Sequence, residues 1–130
     1  MRSLSLAAVL STALWLAACA QQPTTPPVTQ ADLAERTAKE ALLSGIRLYD
    51  DGQYPEAEKQ FGTALKLNLS SPKDRATAHK YLAFIYCTSN RQSLCESSFR
   101  AAMQADPAFA LSKSEAGHPL WGPVYKRVHP

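Results

Sequence analysis

Nowhere in the 130 residues is there a glycine-rich phosphate loop, a nucleophile elbow or a spaced set of metal ligands. The five glycines never cluster, so no loop offers successive backbone N–H groups to a phosphate. Three histidines stand at no ligand spacing from a thiol or carboxylate. His118 therefore reads as a capping or hydrogen-bonded residue, and His79 and His129 as surface residues. Charge of one sign is also scarce. The formal net charge is +3, with acids and bases interspersed, whereas a nucleic-acid footprint needs clustered Lys and Arg. Asp50, Asp51, Glu56 and Glu58 do gather around one turn, but there they read as helix-end charge and solvation rather than a general acid/base pair. The expectation is a protein that is not an enzyme, with no cofactor, no metal and no nucleic-acid partner.

What is present begins at the N-terminus. Met1-Arg2 leads into the apolar run LSLAAVLSTALWLAA, which is too short for a membrane span and ends at small residues before a Pro/Thr-rich flank. This is the pattern of a secretory signal peptide over residues 1–18. Leu16-Ala17-Ala18-Cys19 resembles the lipobox of bacterial lipoproteins. The resemblance implies that Cys19 receives a diacylglycerol, becomes the first mature residue and is acylated on its amino group. Several acyl chains, at about 0.8 kcal/mol per buried methylene, exceed what durable anchoring requires. No Asp follows Cys19, so the resemblance implies the periplasmic face of the outer membrane. Residues 19–30 hold this cysteine and a Pro-rich tract with neither helical nor strand period, a tether of roughly 3 Å per residue. Residues 31–130 remain for one small domain, for which a covalent staple is useful.

Self-comparison exposes a repeat in that domain. Gly45, Leu48, Ala57, Phe61 and Ala64 align with Ala83, Tyr86, Cys95, Phe99 and Ala102, each pair 38 positions apart. The order of small, aromatic or Leu, small, Phe and Ala is that of the tetratricopeptide repeat, whose usual period is about 34 residues. About four residues are then inserted, most simply in the turn LNLSSPKD. The fold class expected is all-α, with two tetratricopeptide-like helical hairpins and a C-terminal capping helix. Gly52 and Asp106-Pro107 read as helix stops, Pro55 as a first-turn residue, and Ser71-Pro72-Lys73-Asp74 as a helix start. In the tail, Ser114 or His118 precedes the capping helix and Pro119 suits its first turn. Leu120, Trp121, Val124, Tyr125 and Val128 recur at helical spacing, although Gly122-Pro123 weaken this helix or confine it to the residues after them.

Outside the cytosol, with Cys19 consumed by lipid, Cys87 and Cys95 are an even pair in an oxidising space. They fall near the end of the third helix and the start of the fourth, which a short turn brings face to face. A disulfide is favoured over two buried thiols, although Cys95 also fills a small-residue position of the repeat. The first helix of each hairpin lines a concave surface in such arrays. Lys39, Leu42, Ile46, Tyr49, Lys80 and Phe84 are thus candidates for a groove that takes a peptide or helix, with the core as the alternative place for some of them.

The lipobox, tether and repeats, together with HKYLAFIYC and EAGHPLWGPVYKRV, resemble the TssQ family of lipoproteins associated with type VI secretion systems. This similarity spans nearly the whole mature chain. It implies an accessory envelope protein that helps assemble or position the secretion machine through protein–protein contacts, with secretion-system components among its partners. Two other classes share the general features: pilotins or outer-membrane assembly lipoproteins, and regulators of peptidoglycan enzymes.

Overall fold

The computed structural model describes residues 25–130, and within them the chain is all-helical, with six helices and no strand. The signal segment 1–18, Cys19 and the first part of the tether lie outside the described residues. α1 (Gln30–Asp50) starts at a capping box in which Thr29 Oγ1 accepts the Asp32 N–H while the Asp32 carboxylate accepts the Thr29 N–H. Gln30, grouped by composition with the tether, is already helical. α2 (Tyr54–Lys66) carries Pro55 in its first turn, and α3 (Pro72–Thr88) is capped by Ser71 Oγ on the Asp74 N–H. α4 (Gln92–Ala105) ends at Asp106.

The 38-residue period is also a period of backbone hydrogen bonds. α1 stops where Gly52 adopts φ +75°, with the Gln53 N–H donating to Leu48 O. α3 stops where Asn90 adopts φ +60°, with the Arg91 N–H donating to Tyr86 O. Both are left-handed helix ends whose next N–H reaches back to close the last turn. Glycine takes this conformation freely and asparagine is among the residues that tolerate it, so different side chains produce one turn.

Within each hairpin the paired small residues and phenylalanines hold the helices together. Ala57, Phe61, Ala64, Ala83, Cys95, Phe99 and Ala102 are buried, and a Cβ built on Gly45 would sit 2.7 Å from the Phe61 ring. Burying one such phenylalanine contributes on the order of 1.5–3 kcal/mol. The inter-hairpin segment carries a residue that periodicity does not reveal. Leu69 is fully buried in the first core, and the turn around it is tied down twice. Arg75 Nη1 donates to Leu69 O (2.7 Å) and Ser70 O (2.8 Å), while the Ser70 N–H donates to Glu35 Oε2 of α1 (2.8 Å).

The tail corrects the expectation of one capping helix. Ser112, not Ser114 or His118, caps the one-turn helix α5 (Lys113–Ala116), and α6 (Gly122–Val128) carries Pro123, not Pro119, in its first turn. Leu120 is exposed, while Trp121, Val124, Tyr125 and Val128 are buried against α3 and α4. His118 lies flat on Trp121, ring centroids 3.3 Å apart, and its Nδ1 accepts the Leu120 N–H. His79 is half-buried rather than a free surface residue, and burial, with Arg75 nearby, lowers its pKa. His129 is exposed.

Cys87 and Cys95 close the second hairpin, their sulfurs at bonding distance and their Cα atoms 5.2 Å apart. A clasp across so short a loop stabilises by roughly 2 to 3 kcal/mol in the chain-entropy account. The folded protein recovered from an oxidising compartment should therefore show no alkylatable thiol at either position. The Cys87→Ala/Cys95→Ala variant should melt several degrees lower. Quantitative labelling of both thiols in the folded, unreduced protein would contradict the clasp.

Candidate interaction groove

The six residues expected to line a concave face divide into two groups. Leu42 (5% exposed) and Phe84 (3% exposed) are core, so neither presents a side chain to a partner. Leu42 packs in the first hairpin's core, and Phe84 is covered by Trp121 of the tail, the rings stacked at 4.1 Å. The physical reason is the cap. A helical array must seal its last apolar face, and here an indole seals the one to which Phe84 belongs.

Lys39, Ile46, Tyr49 and Lys80 remain accessible to different degrees. Lys39 is exposed and pairs loosely with Glu35 one turn earlier at 3.5 Å. Ile46 and Tyr49 are half-buried against the first core. Tyr49 meets Tyr54 and Tyr81 edge-on, with ring centroids at 5.2 and 4.9 Å. Burial, reinforced by Tyr54, Tyr81, Asp50 and Glu115, pushes the Tyr49 phenol up to about 12. It stays protonated at any physiological pH and can donate a hydrogen bond to a partner carbonyl. Lys80 is committed within the chain: its Nζ lies 2.6 Å from Glu115 Oε1 and 5.0 and 5.7 Å from the centroids of the Tyr81 and Phe84 rings.

Tyr81 and Glu115 thus contact the candidate residues, although the 38-residue repeat singles out neither. Tyr81 stands beside Lys80 and three residues before Phe84, so the aromatic pairing at helical spacing is a usable signal. Ser112-Lys113-Ser114-Glu115 has the capping-box spacing, and Glu115 Oε2 accepts the Ser112 N–H at 2.9 Å while Oε1 takes Lys80. One carboxylate therefore starts the cap and ties it to α3. Trp121 Nε1 donates to Glu115 O at 2.8 Å, which joins the start of α6 to α5 within the tail.

Such a surface can hold a ligand by contact and hydrogen bonding. Among the described residues no three His, Cys, Asp or Glu side chains are placed to hold a metal ion, and no helix is long and apolar enough to cross a membrane. No protein-family model, curated protein or solved structure matches this chain.

Burial alone would raise the Glu115 carboxyl, but hydrogen bonds from Lys80 and Ser112, with the Lys80 charge, hold it below the ordinary glutamate value. A depressed folded-state pKa contributes stability that is complete above the unfolded value and lost as pH falls through the folded one. Glu115→Gln keeps a cap acceptor but no charge. It should therefore melt below wild type at neutral pH and converge with it on acidification past the carboxylate range. An unchanged gap between the two melting temperatures across that window would rule out the ion pair as a contributor.

Proposed function

We propose that this chain is a lipid-anchored adaptor on the periplasmic face of the outer membrane, built from two tetratricopeptide-type hairpins, and that it serves a type VI secretion system as an accessory. The observation that carries the reading is the repeated hairpin, with the same helix-ending hydrogen bonds 38 residues apart and small residues and phenylalanine at equivalent positions. Repeats of this kind act by presenting an extended face to another polypeptide. The LAAC motif supports the anchor, and HKYLAFIYC with EAGHPLWGPVY supports the secretion-system assignment.

In this reading Tyr49 and Ile46 supply the apolar contact, and the Tyr49 hydroxyl and Lys39 supply orientation. Lys80 and Glu115 keep the floor rigid by holding cap to hairpin. A partner segment desolvates Tyr49, and loss of such an aromatic typically costs about 1 to 3 kcal/mol of binding, a factor of roughly ten to a hundred. The test is co-purification of type VI envelope components with the protein from membranes of cells that carry the system. Tyr49→Ala should lose most of that capture while keeping its helical circular dichroism, and Arg100→Ala, an exposed change on α4, should retain it. Cys19→Ser should carry no lipid label and leave the outer-membrane fraction. Undiminished capture by folded Tyr49→Ala would remove the groove assignment. Normal lipid labelling of Cys19→Ser would remove the anchor.

A further inference from the structure

Two glycines sit inside long helices, and only one has a reason within the fold. Gly45 has no room for a Cβ because of Phe61. Gly62, in the middle of α2, has nothing within 4 Å of where its Cβ would be and no unusual backbone angle. A helix-interior glycine is unfavourable relative to alanine, and the chain's own packing offers no compensation here. What Gly62 does is open the α2 backbone to a cleft of roughly 510 Å³ between α2 and α3.

Leu82 and Tyr86 line one side of the cleft, on the face of α3 opposite Lys80 and Phe84, so the cleft is separate from the groove described above. Arg91 grips Glu58 through both carboxylate oxygens (3.0 and 2.7 Å) and lies 4.5 Å over the Tyr86 ring, which cancels the one acidic charge in the lining. Lys59 and Lys66 complete the α2 wall. Both are exposed, and among the described residues neither has a carboxylate within 4.0 Å. They stand two turns apart on one face of α2, about 10 Å along its axis, with Gly62 between them.

We propose that this cleft is a second docking surface, and that it takes an acidic amphipathic helix of a partner protein, crossing α2 at Gly62 and setting carboxylates one heptad apart against Lys59 and Lys66. Charge complementarity and access together favour this occupant. The wall is cationic without internal neutralisation, the half-buried Tyr86 ring beside the core residue Leu82 offers an apolar contact, and the missing side chain at Gly62 allows close backbone approach. The surface is independent of the groove reading, and an adaptor with both can hold two partners at once.

The test uses the intact chain in detergent and a dye-labelled 18-residue amphipathic peptide with a leucine face and glutamates one heptad apart, read by fluorescence anisotropy. A control peptide carries lysine in place of each glutamate. The glutamate peptide should bind, more tightly at low salt, and the lysine peptide should not. Lys59→Glu/Lys66→Glu should weaken the glutamate peptide by about tenfold or more and reverse the preference. Gly62→Leu should block it while leaving circular dichroism intact, because its side chain enters open space. Tyr49→Ala should leave it unchanged, which separates failure of the cleft from failure of the groove. Equal binding of the two peptides, no binding of either, or insensitivity to the Lys59/Lys66 reversal would overturn the proposal. So would an equal loss on reversing Arg100 and Lys126, far from the cleft in sequence.

Discussion

Phe61 touches three helices at once. It belongs to α2, its ring fills the space that a side chain at Gly45 of α1 would need, and its face stacks on Tyr81 of α3 at 5.2 Å and 11°. From Tyr81 the aromatic contacts pass to Phe84 and from Phe84 to Trp121 of the tail. The second hairpin repeats the device, with Phe99 of α4 packing on Tyr125 of α6 at 5.4 Å. In each hairpin, then, the phenylalanine of the second helix packs on an aromatic of the next unit along the chain. A domain this small has little core to spare, and these rings contribute both its burial and its alignment.

The same chain of rings decides what is left for binding. Because Trp121 covers Phe84 and Glu115 holds Lys80, the candidate surface is committed within the chain at its tail end, while Tyr49, Ile46 and Lys39 keep exposed area. On the opposite face of α3 the hairpins are joined by a polar clamp, Arg91 on Glu58, rather than by direct contact between α2 and α4. That clamp leaves the cleft beside Gly62 unfilled. The Glu58 carboxyl is held low first by its hydrogen bond to Arg91, so the clamp stays charged at physiological pH.

Much of the architecture was legible because the repeat is written in residue size. Small residues and phenylalanines at a constant offset locate the hairpins, whereas the match between Gly52 and Asn90 in the turns emerges only from their backbone angles. The cysteine pair was legible because a short turn leaves two nearby thiols few alternatives. The hidden part depends on contacts distant in sequence. Leu69 is core because the turn folds over the α1–α2 pair, and Glu35 reaches Ser70 across 35 residues. Spacing alone places Phe84 in the groove, because a helical wheel cannot say which neighbour covers a residue. The tail breaks into two short helices because the Ser112–Glu115 capping box starts one and Pro123 starts another, and this separates Pro119 and Leu120 from both. Of the six groove candidates, Lys39, Ile46, Tyr49 and Lys80 keep some exposed area, whereas Glu115 joins Lys80 only through the tail's docking.

The dependence of the array on one close approach can be measured with a double-mutant cycle at Gly45 and Phe61. On helix propensity alone, Gly45→Ala should stabilise by about 1 kcal/mol. The Cβ at 2.7 Å from a fully buried ring instead predicts destabilisation of roughly 1–3 kcal/mol in the wild-type background. In a Phe61→Leu background, where the ring is gone, the penalty should vanish or change sign, giving a coupling on the order of 1 kcal/mol or more in denaturant melts. Stabilisation by Gly45→Ala in both backgrounds would contradict the claim that the Gly45–Phe61 contact sets the spacing of the first hairpin.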